Sequence, residues 1–490
     1  MLGKQSLHPD QVVCISVEAL VPANHALRRL HAALDLGFVR EKVASLYSQF
    51  GRPSVDPELV VRMWILQHFY GFSERQLCDE LTMHAGFRWF CGLSFTDTVP
   101  DQSTLVKLRT EKWEKSGVWQ ELLTETIRLC EAAGIARPGA RQRLGVDGTQ
   151  IEANAAIASL KALAPQLTVV EGVESAEDGG EEPAAPLAQT VAPPVAAPTP
   201  PALRVEDGGR PHGSHRSGDP EWHGEHFSNA THRSTTDPEA RLYRKSDGQE
   251  AKLRYLGHYL ADVRGGVIYG AMATQATGTA EREAALALLD ELAQLPGELA
   301  ADLGYRDGDF LAAVLARGVQ PLVPLQDEPL EAEPTWQRRP CKPEHQEQRE
   351  AKLAAAKARN ATRLAVRGAR GAAAQHQRTR LEHLFAEGKE HHGLRRAQDR
   401  GLRRVDQQVK LTAAVQNLKR WNRARPRRAV QAQTAGSAAM VRLVQHPGGP
   451  PGGALRGFWA GFRLSRRRRT PARHVACESL VCWFSRTQRH

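Results

Sequence analysis

Residues 158–225, which include "EDGGEEPAAPLAQTVAPPVAAPTPPALRVEDGGRP", are rich in Ala, Pro and Gly and show no apolar period. The stretch is too long for an ordinary loop and reads as a disordered or extended linker. Any sheet in this chain must therefore be assembled from segments on both sides of it. On the near side is "LGVDGTQIEAN", where the apolar run Leu144-Gly145-Val146 leads into Asp147. Asp147 is expected to end a buried strand, either as a turn cap or as a holder of something that needs negative charge. On the far side, "YLGHYLADVRGGVIYGAMATQA" reads as two strands around Arg264-Gly265-Gly266, with Asp262 as a turn residue. "TAEREAALALLDELAQL" reads as an amphipathic helix with Ala284, Leu288, Leu292 and Leu295 inward. "GELAADLGYRDGDFLAAVLARGVQPLVPL" then reads as strand, turn, helix, strand, with Asp302 at the end of its first strand. The sum is strand, hairpin, helix, strand, helix, strand: a mixed α/β sheet.

Residues 1–135 read differently, as an all-helical N-terminal domain. In "SVDPELVVRMWILQHFYGF" Asp56 is placed as N-cap and Pro57 as the first helical residue, and Leu59, Val60, Met63, Trp64 and Gln67 follow at helical spacing. Gly71 stops this helix, Ser73-x-x-Gln76 forms a capping box for the next, and a further helix begins near Ser103. Such a bundle is compatible with a helix-turn-helix, although most three-helix bundles bind nothing. Trp89 and Trp113 sit in helical patterns and read as core. After the sheet, residues 326–375 are basic and helix-prone. Two helices with a Gly-containing break follow, and residues 426–490, with "HPGGPPGGALRG" and "RLSRRRRTPARH", read as a basic low-complexity tail.

Composition narrows the partners. The 490 residues carry a formal charge of +11 and a pI near 9.5, which suits a polyanion such as nucleic acid or else a solvated basic surface. The seven cysteines form no C-x-x-C pair and are odd in number, as expected of a reducing cytoplasm. "MLGKQSLHPDQ" has no apolar signal-peptide core, and no run of about 18 apolar residues suggests a membrane span. The His tract of His212, His215, His223, His226 and His232 has no standard zinc spacing, and His474, Cys477 and Cys482 are too few for a closed site.

Two strand-end acids, Asp147 and Asp302, and a third, Glu382, on a late helix could converge. Three clustered carboxylates repel one another unless cations neutralise them. Hard oxygen ligands suit Mg²⁺ or Mn²⁺, and a pair of such ions supports phosphodiester chemistry. On composition and spacing alone, three unrelated acids at turns and on the surface is the stronger reading.

The motifs in order resemble those of DDE-type insertion-sequence transposases with a ribonuclease-H-like core. "LGVDGTQIEANA" is similar to the strand that carries the first Asp, and "ADLGYRDGDF" to the second-Asp motif. "RTRLEHLFAEGK" resembles the final-Glu helix, written Y-x2-R-x3-E-x6-K. Arg378, Glu382 and Lys389 match it, Gln375 stands where Tyr is usual, and Leu303 stands where Lys is common. "THRSTTDPEARLYRK", "HHGLRRAQDRGL…AAVQNLKR" and "VPANHALRRL…GRPSVDPELVVRMWILQHFYGFSERQL" also look like family segments.

The resemblance implies a ribonuclease-H-like mixed sheet with flanking helices over residues 136–157 and 226–425, preceded by helices that bind DNA ends. It implies two Mg²⁺ or Mn²⁺ ions held by Asp147, Asp302 and Glu382, with Asp147 bridging them. It also implies cleavage at the element's terminal inverted repeats, strand transfer into target DNA, a homo-oligomer on DNA, and a cytoplasmic, nucleoid-associated location in a bacterium. Arg378, Glu382 and Lys389 share one helix face at about 100° per residue, so the two cations would meet DNA phosphates. A decayed DNA-binding derivative and a stand-alone metal-dependent nuclease are the rival readings.

Overall fold

The computed structural model describes residues 14–48, 50–163, 227–244, 250–325, 327–332 and 342–424. The basic tail and all of the His tract except His232 lie outside them. All the described residues belong to one unit, which ends at Arg425.

Among the described residues eight α-helices come first: α1 (Val17–Leu20), α2 (Ala26–Ala33), α3 (Gly37–Val43), α4 (Pro57–Tyr70), α5 (Glu74–Met83), α6 (Ala85–Phe90), α7 (Gln102–Lys107) and α8 (Val118–Ala132). Their ends follow local chemistry. Asp56 Oδ1 accepts the Glu58 amide at 2.8 Å, and Gly71 closes α4 at φ 74°, a left-handed conformation that favours glycine. Ser73 and Gln76 form the capping box of α5. Asp101 caps α7, accepting the Ser103 amide at 2.7 Å. Helix α4 is apolar nearly all round, so it lies at the centre of the helical region, with Trp64 edge-on to Trp113 and Trp119. Trp113 is fully buried, and Trp89 lies partly buried against the same core.

The sheet contains β1 (Arg143–Glu152), β4 (Arg241–Tyr243), β5 (Lys252–Asp262), β6 (Ile268–Gln275), β7 (Glu298–Ala300) and β8 (Gln320–Leu322). Its order is β6-β5-β1-β7-β8, with β4 pairing the start of β5. Strands β1, β5 and β6 are antiparallel neighbours, whereas β1, β7 and β8 run parallel. Side chains alternate between faces. Leu144, Val146 and Leu260 face a core shared with α9 (Ala280–Asp290) and α10 (Gly308–Ala316). Tyr259 and Ala261 face one shared with α12 (Ala369–His391) and α13 (Leu402–Arg423). This is a ribonuclease-H-like mixed sheet with flanking helices. The basic segment supplies α11 (Pro343–Val366), which lies against α10 and β8.

Three expectations change. Strand β1 does not end at Asp147 but continues to Glu152, because β5 pairs it along its whole length. The linker does not begin at 158: Leu160–Ala162 (β2) pairs with His232–Ser234 (β3), so the chain leaves and re-enters the described structure through one ladder. Helix α9 stops at Asp290, short of Leu292 and Leu295, and Leu295 is exposed. Among the described residues, the helical region expected over 1–135 is packed directly on the sheet. The helical region and the sheet share a core that joins Leu27, Trp64 and Leu123 to Tyr259, Leu381 and Val415. Helix α13 is the common element: Asn417 bonds both the amide and carbonyl of Ile268 on β6, at 2.8 and 2.9 Å, and donates to Thr126 of α8.

Candidate active site

Parallel pairing puts Gly145 opposite Ala300. Asp147 and Asp302 lie two residues beyond this pair on their respective chains, so one register brings both acids to the same end and face of the sheet. β7 stops at Ala300, and Asp302 caps the single turn Leu303–Tyr305, its Oδ1 accepting the Gly304 amide at 2.9 Å.

The same face is covered by α12. Gly145 permits this, since a Cβ there would lie 2.5 Å from Leu381 Cδ1. Arg378 and Glu382 flank Leu381 on the helix. Arg378 Nη1 donates to Asp147 Oδ2 at 3.1 Å and Nη2 to Glu382 Oε1 at 3.0 Å. One guanidinium therefore spans an acid of the sheet and an acid of the helix. Asp147 and Arg378 are largely buried, while Glu382 is mostly exposed.

Burial drives the Asp147 carboxyl up to about 6; Arg378 opposes this, and Asp302 and Glu281 reinforce it. The site thus holds more negative charge than one guanidinium cancels. Among the described residues no three His, Cys, Asp or Glu side chains converge closely enough to hold a metal ion as placed. The donor chemistry nevertheless fits a hard divalent cation: these are carboxylate oxygens, and a cation already sits between two of them. Such an ion at Asp147 would compete with Arg378 for the same oxygen.

Lys389 lies farther along α12 and lines a cavity of about 330 Å³ beside β1. Arg254, Arg395, Tyr243 and Glu281 share that lining with Gly148 and Thr149, the residues that follow Asp147. Gln375 turns inward, donating to the carbonyls of Ala301 and Leu322 at 3.2 and 3.1 Å, and so ties α12 to the ends of β7 and β8. Asp262 holds the β5–β6 turn, accepting from the amides of Arg264 and Gly265.

Two side chains at this end escape a reading of the sequence. Glu281 is the second residue of α9, close enough that a Cβ on Gly148 would meet its Oε1 at 2.9 Å. Tyr305 is buried in the core below, and its hydroxyl feels Glu281, Asp147 and Asp302. Apolar periodicity marks the inward residues of α9 and is silent about a charged residue in its first turn. Tyr305 stands within "ADLGYRDGDF", but nothing local shows where its hydroxyl points.

The Transposase domain (DUF772) family matches residues 15–111, most of the helical region, and the Transposase DDE domain family matches residues 229–418. The second match contains Asp302, Arg378, Glu382 and Lys389 and begins after Asp147. The chain is also similar to an uncharacterized protein, ORF8 in the nfe locus of Rhizobium meliloti. The two are 26% identical over 149 residues, which is 30% of this chain and 69% of that one. No solved structure matches. Among the described residues no helix is long and apolar enough to cross a membrane.

Proposed function

Because the chain belongs to the DDE-type insertion-sequence transposases, we propose that it cuts DNA at the ends of an insertion sequence and joins the freed 3′ ends to target DNA. What supports this reading is the register that puts Asp147 and Asp302 beyond one strand pair, together with the Arg378 guanidinium that joins Asp147 to Glu382. Asp147, Asp302 and Glu382 would hold two Mg²⁺ or Mn²⁺ ions, which when bound supply Lewis-acid activation of water and of a 3′-OH. Arg378 keeps Asp147 and Glu382 oriented toward each other. Lys389, Arg254 and Arg395 offer positive charge beside Asp147, where a DNA backbone would run, and Tyr243 offers a ring against which a base could stack. The helical region would read the terminal repeats. Its shared core with α13 would hold that contact rigid relative to the carboxylates. Paired ends would be held by a homo-oligomer, in the compartment that contains the chromosome.

A nicking assay tests this on a duplex bearing one element end, with and without Mn²⁺. We expect Mn²⁺-dependent nicks at the end, joined product when target DNA is present, and loss of both in Asp147→Asn. Binding without nicking would support a decayed derivative. Nicking without joining would support a stand-alone nuclease.

A further inference from the structure

Tyr305 is 1% exposed, and its hydroxyl has no hydrogen-bond partner among the described residues. Its ring is well seated, 5.4 Å from that of Phe310 within the core shared by the sheet, α9 and α10. Glu281, Asp147 and Asp302 act on this phenol electrostatically, and Arg378 acts in the opposite sense. A buried hydroxyl without a partner destabilises the fold, whereas Phe would fill the same space at no such cost. Burial first, and then the three carboxylates, hold this phenol far above its ordinary value, so it stays protonated and can donate. The three carboxylates that act on it are acceptors, yet no described residue accepts its proton.

We propose that the Tyr305 hydroxyl is a positioning group for the carboxylate site, donating its hydrogen bond to an oxygen bound there. That oxygen is either a water of a hydrated divalent cation or an oxygen of a phosphate group. The inference rests on the function proposed above. It adds a ligand contact from the opposite side of the sheet to α12, and it gives the second-Asp turn a second duty. Asp302 caps that turn and Tyr305 closes it, so a single turn fixes a carboxylate and a donor relative to each other.

Tyr305→Phe in the full chain keeps the ring and removes the donor. Calorimetric titration with Mn²⁺ alone, and then with inorganic phosphate at saturating Mn²⁺, separates the two sources. Weakening of Mn²⁺ binding by roughly tenfold assigns the bond to a cation-bound water. Unchanged Mn²⁺ binding with phosphate binding weakened by roughly tenfold assigns it to phosphate. Thermal unfolding in EDTA should show Tyr305→Phe at or above the parent Tm, since no bond is lost without a ligand. Equal affinities in both titrations would overturn the proposal, as would a lower Tm in EDTA, which would reveal a partner within the protein. Failure of the parent chain to bind Mn²⁺ would instead overturn the proposed function, and this inference with it.

Discussion

Arg378 on α12 donates to Asp147, in the middle of β1, at 3.1 Å, although 231 positions separate them in the chain. The same guanidinium holds Glu382 at 3.0 Å. Arg378 lowers the Asp147 carboxyl, which burial otherwise raises. Arg378→Gln should therefore push Asp147 still higher, above about 6. Carboxyl-carbon NMR titration of the metal-free protein would show it, and an unchanged or lower value would mean that the pair does not couple.

Asp147 also sets a pH dependence. Its folded value, about 6, lies above the unfolded one, so the folded state binds more protons between about 4 and about 6. In metal-free protein its contribution favours the fold at low pH and is lost as pH rises through that window. At pH 7 ionised Asp147 costs on the order of 2 kcal/mol. Asp147→Asn should be more stable than the parent at pH 7 in EDTA and no more stable at pH 4, by urea unfolding. A variant less stable at pH 7 would contradict this.

Gly145 sets how close α12 comes to the sheet. A Cβ there would lie 2.5 Å from Leu381 and 3.0 Å from Val263. Gly145→Val should cost roughly 1–3 kcal/mol by overpacking and move Glu382 away from Asp147. Gly145→Ala should be milder, and Leu381→Ala in the same chain should restore part of any lost nicking. No recovery in the double variant would show that the glycine serves something other than helix approach.

Glu382 and Lys389 should separate on mutation. Glu382→Gln should leave end binding near normal and remove cleavage, because a neutral amide is a poor ligand for a hard cation. Lys389→Ala should weaken end binding and lower the salt slope by about one, as expected for one lost phosphate contact. Filter binding across a salt series, with cleavage measured on the same duplex, would show both. Cleavage by Glu382→Gln at the parent rate would remove Glu382 from the site.

The junction between helices and sheet has its own test. Burial raises Glu387, but neighbouring His392 and Arg420 outweigh it and bring it to about 2, and Arg420 Nη2 sits 2.9 Å away. Its folded value is depressed, so it stabilises the fold above the ordinary carboxylate range, a contribution lost as pH falls toward 2. Glu387→Ala would leave the partly buried Arg420 without its carboxylate partner, keeping only its bond to the Gln416 carbonyl, and should cost roughly 3 kcal/mol at pH 7. A Tm within a degree or two of the parent would show that water replaces the partner.

Local chemistry in the sequence determined the caps at Asp56, Gly71 and Ser73, the all-round apolar α4, the hairpin at Arg264–Gly266, and the common helix face of Arg378, Glu382 and Lys389. These depend on neighbours within a turn or two, where periodicity and capping act. Family motifs added which acids to compare, but not how they meet. Only the tertiary structure decided that β1 runs through Asp147, that Gly145 pairs with Ala300 across the long insertion, and that Arg378 bridges sheet and helix. It alone brought the buried Tyr305 under the electrostatic influence of Glu281, Asp147 and Asp302 and packed the helical region on the sheet through α13. The physical reason is that alternation tells which face a side chain takes, not which distant strand will pair with it. Burial, which lifts Asp147 to about 6, arises only when segments far apart in the chain close over it.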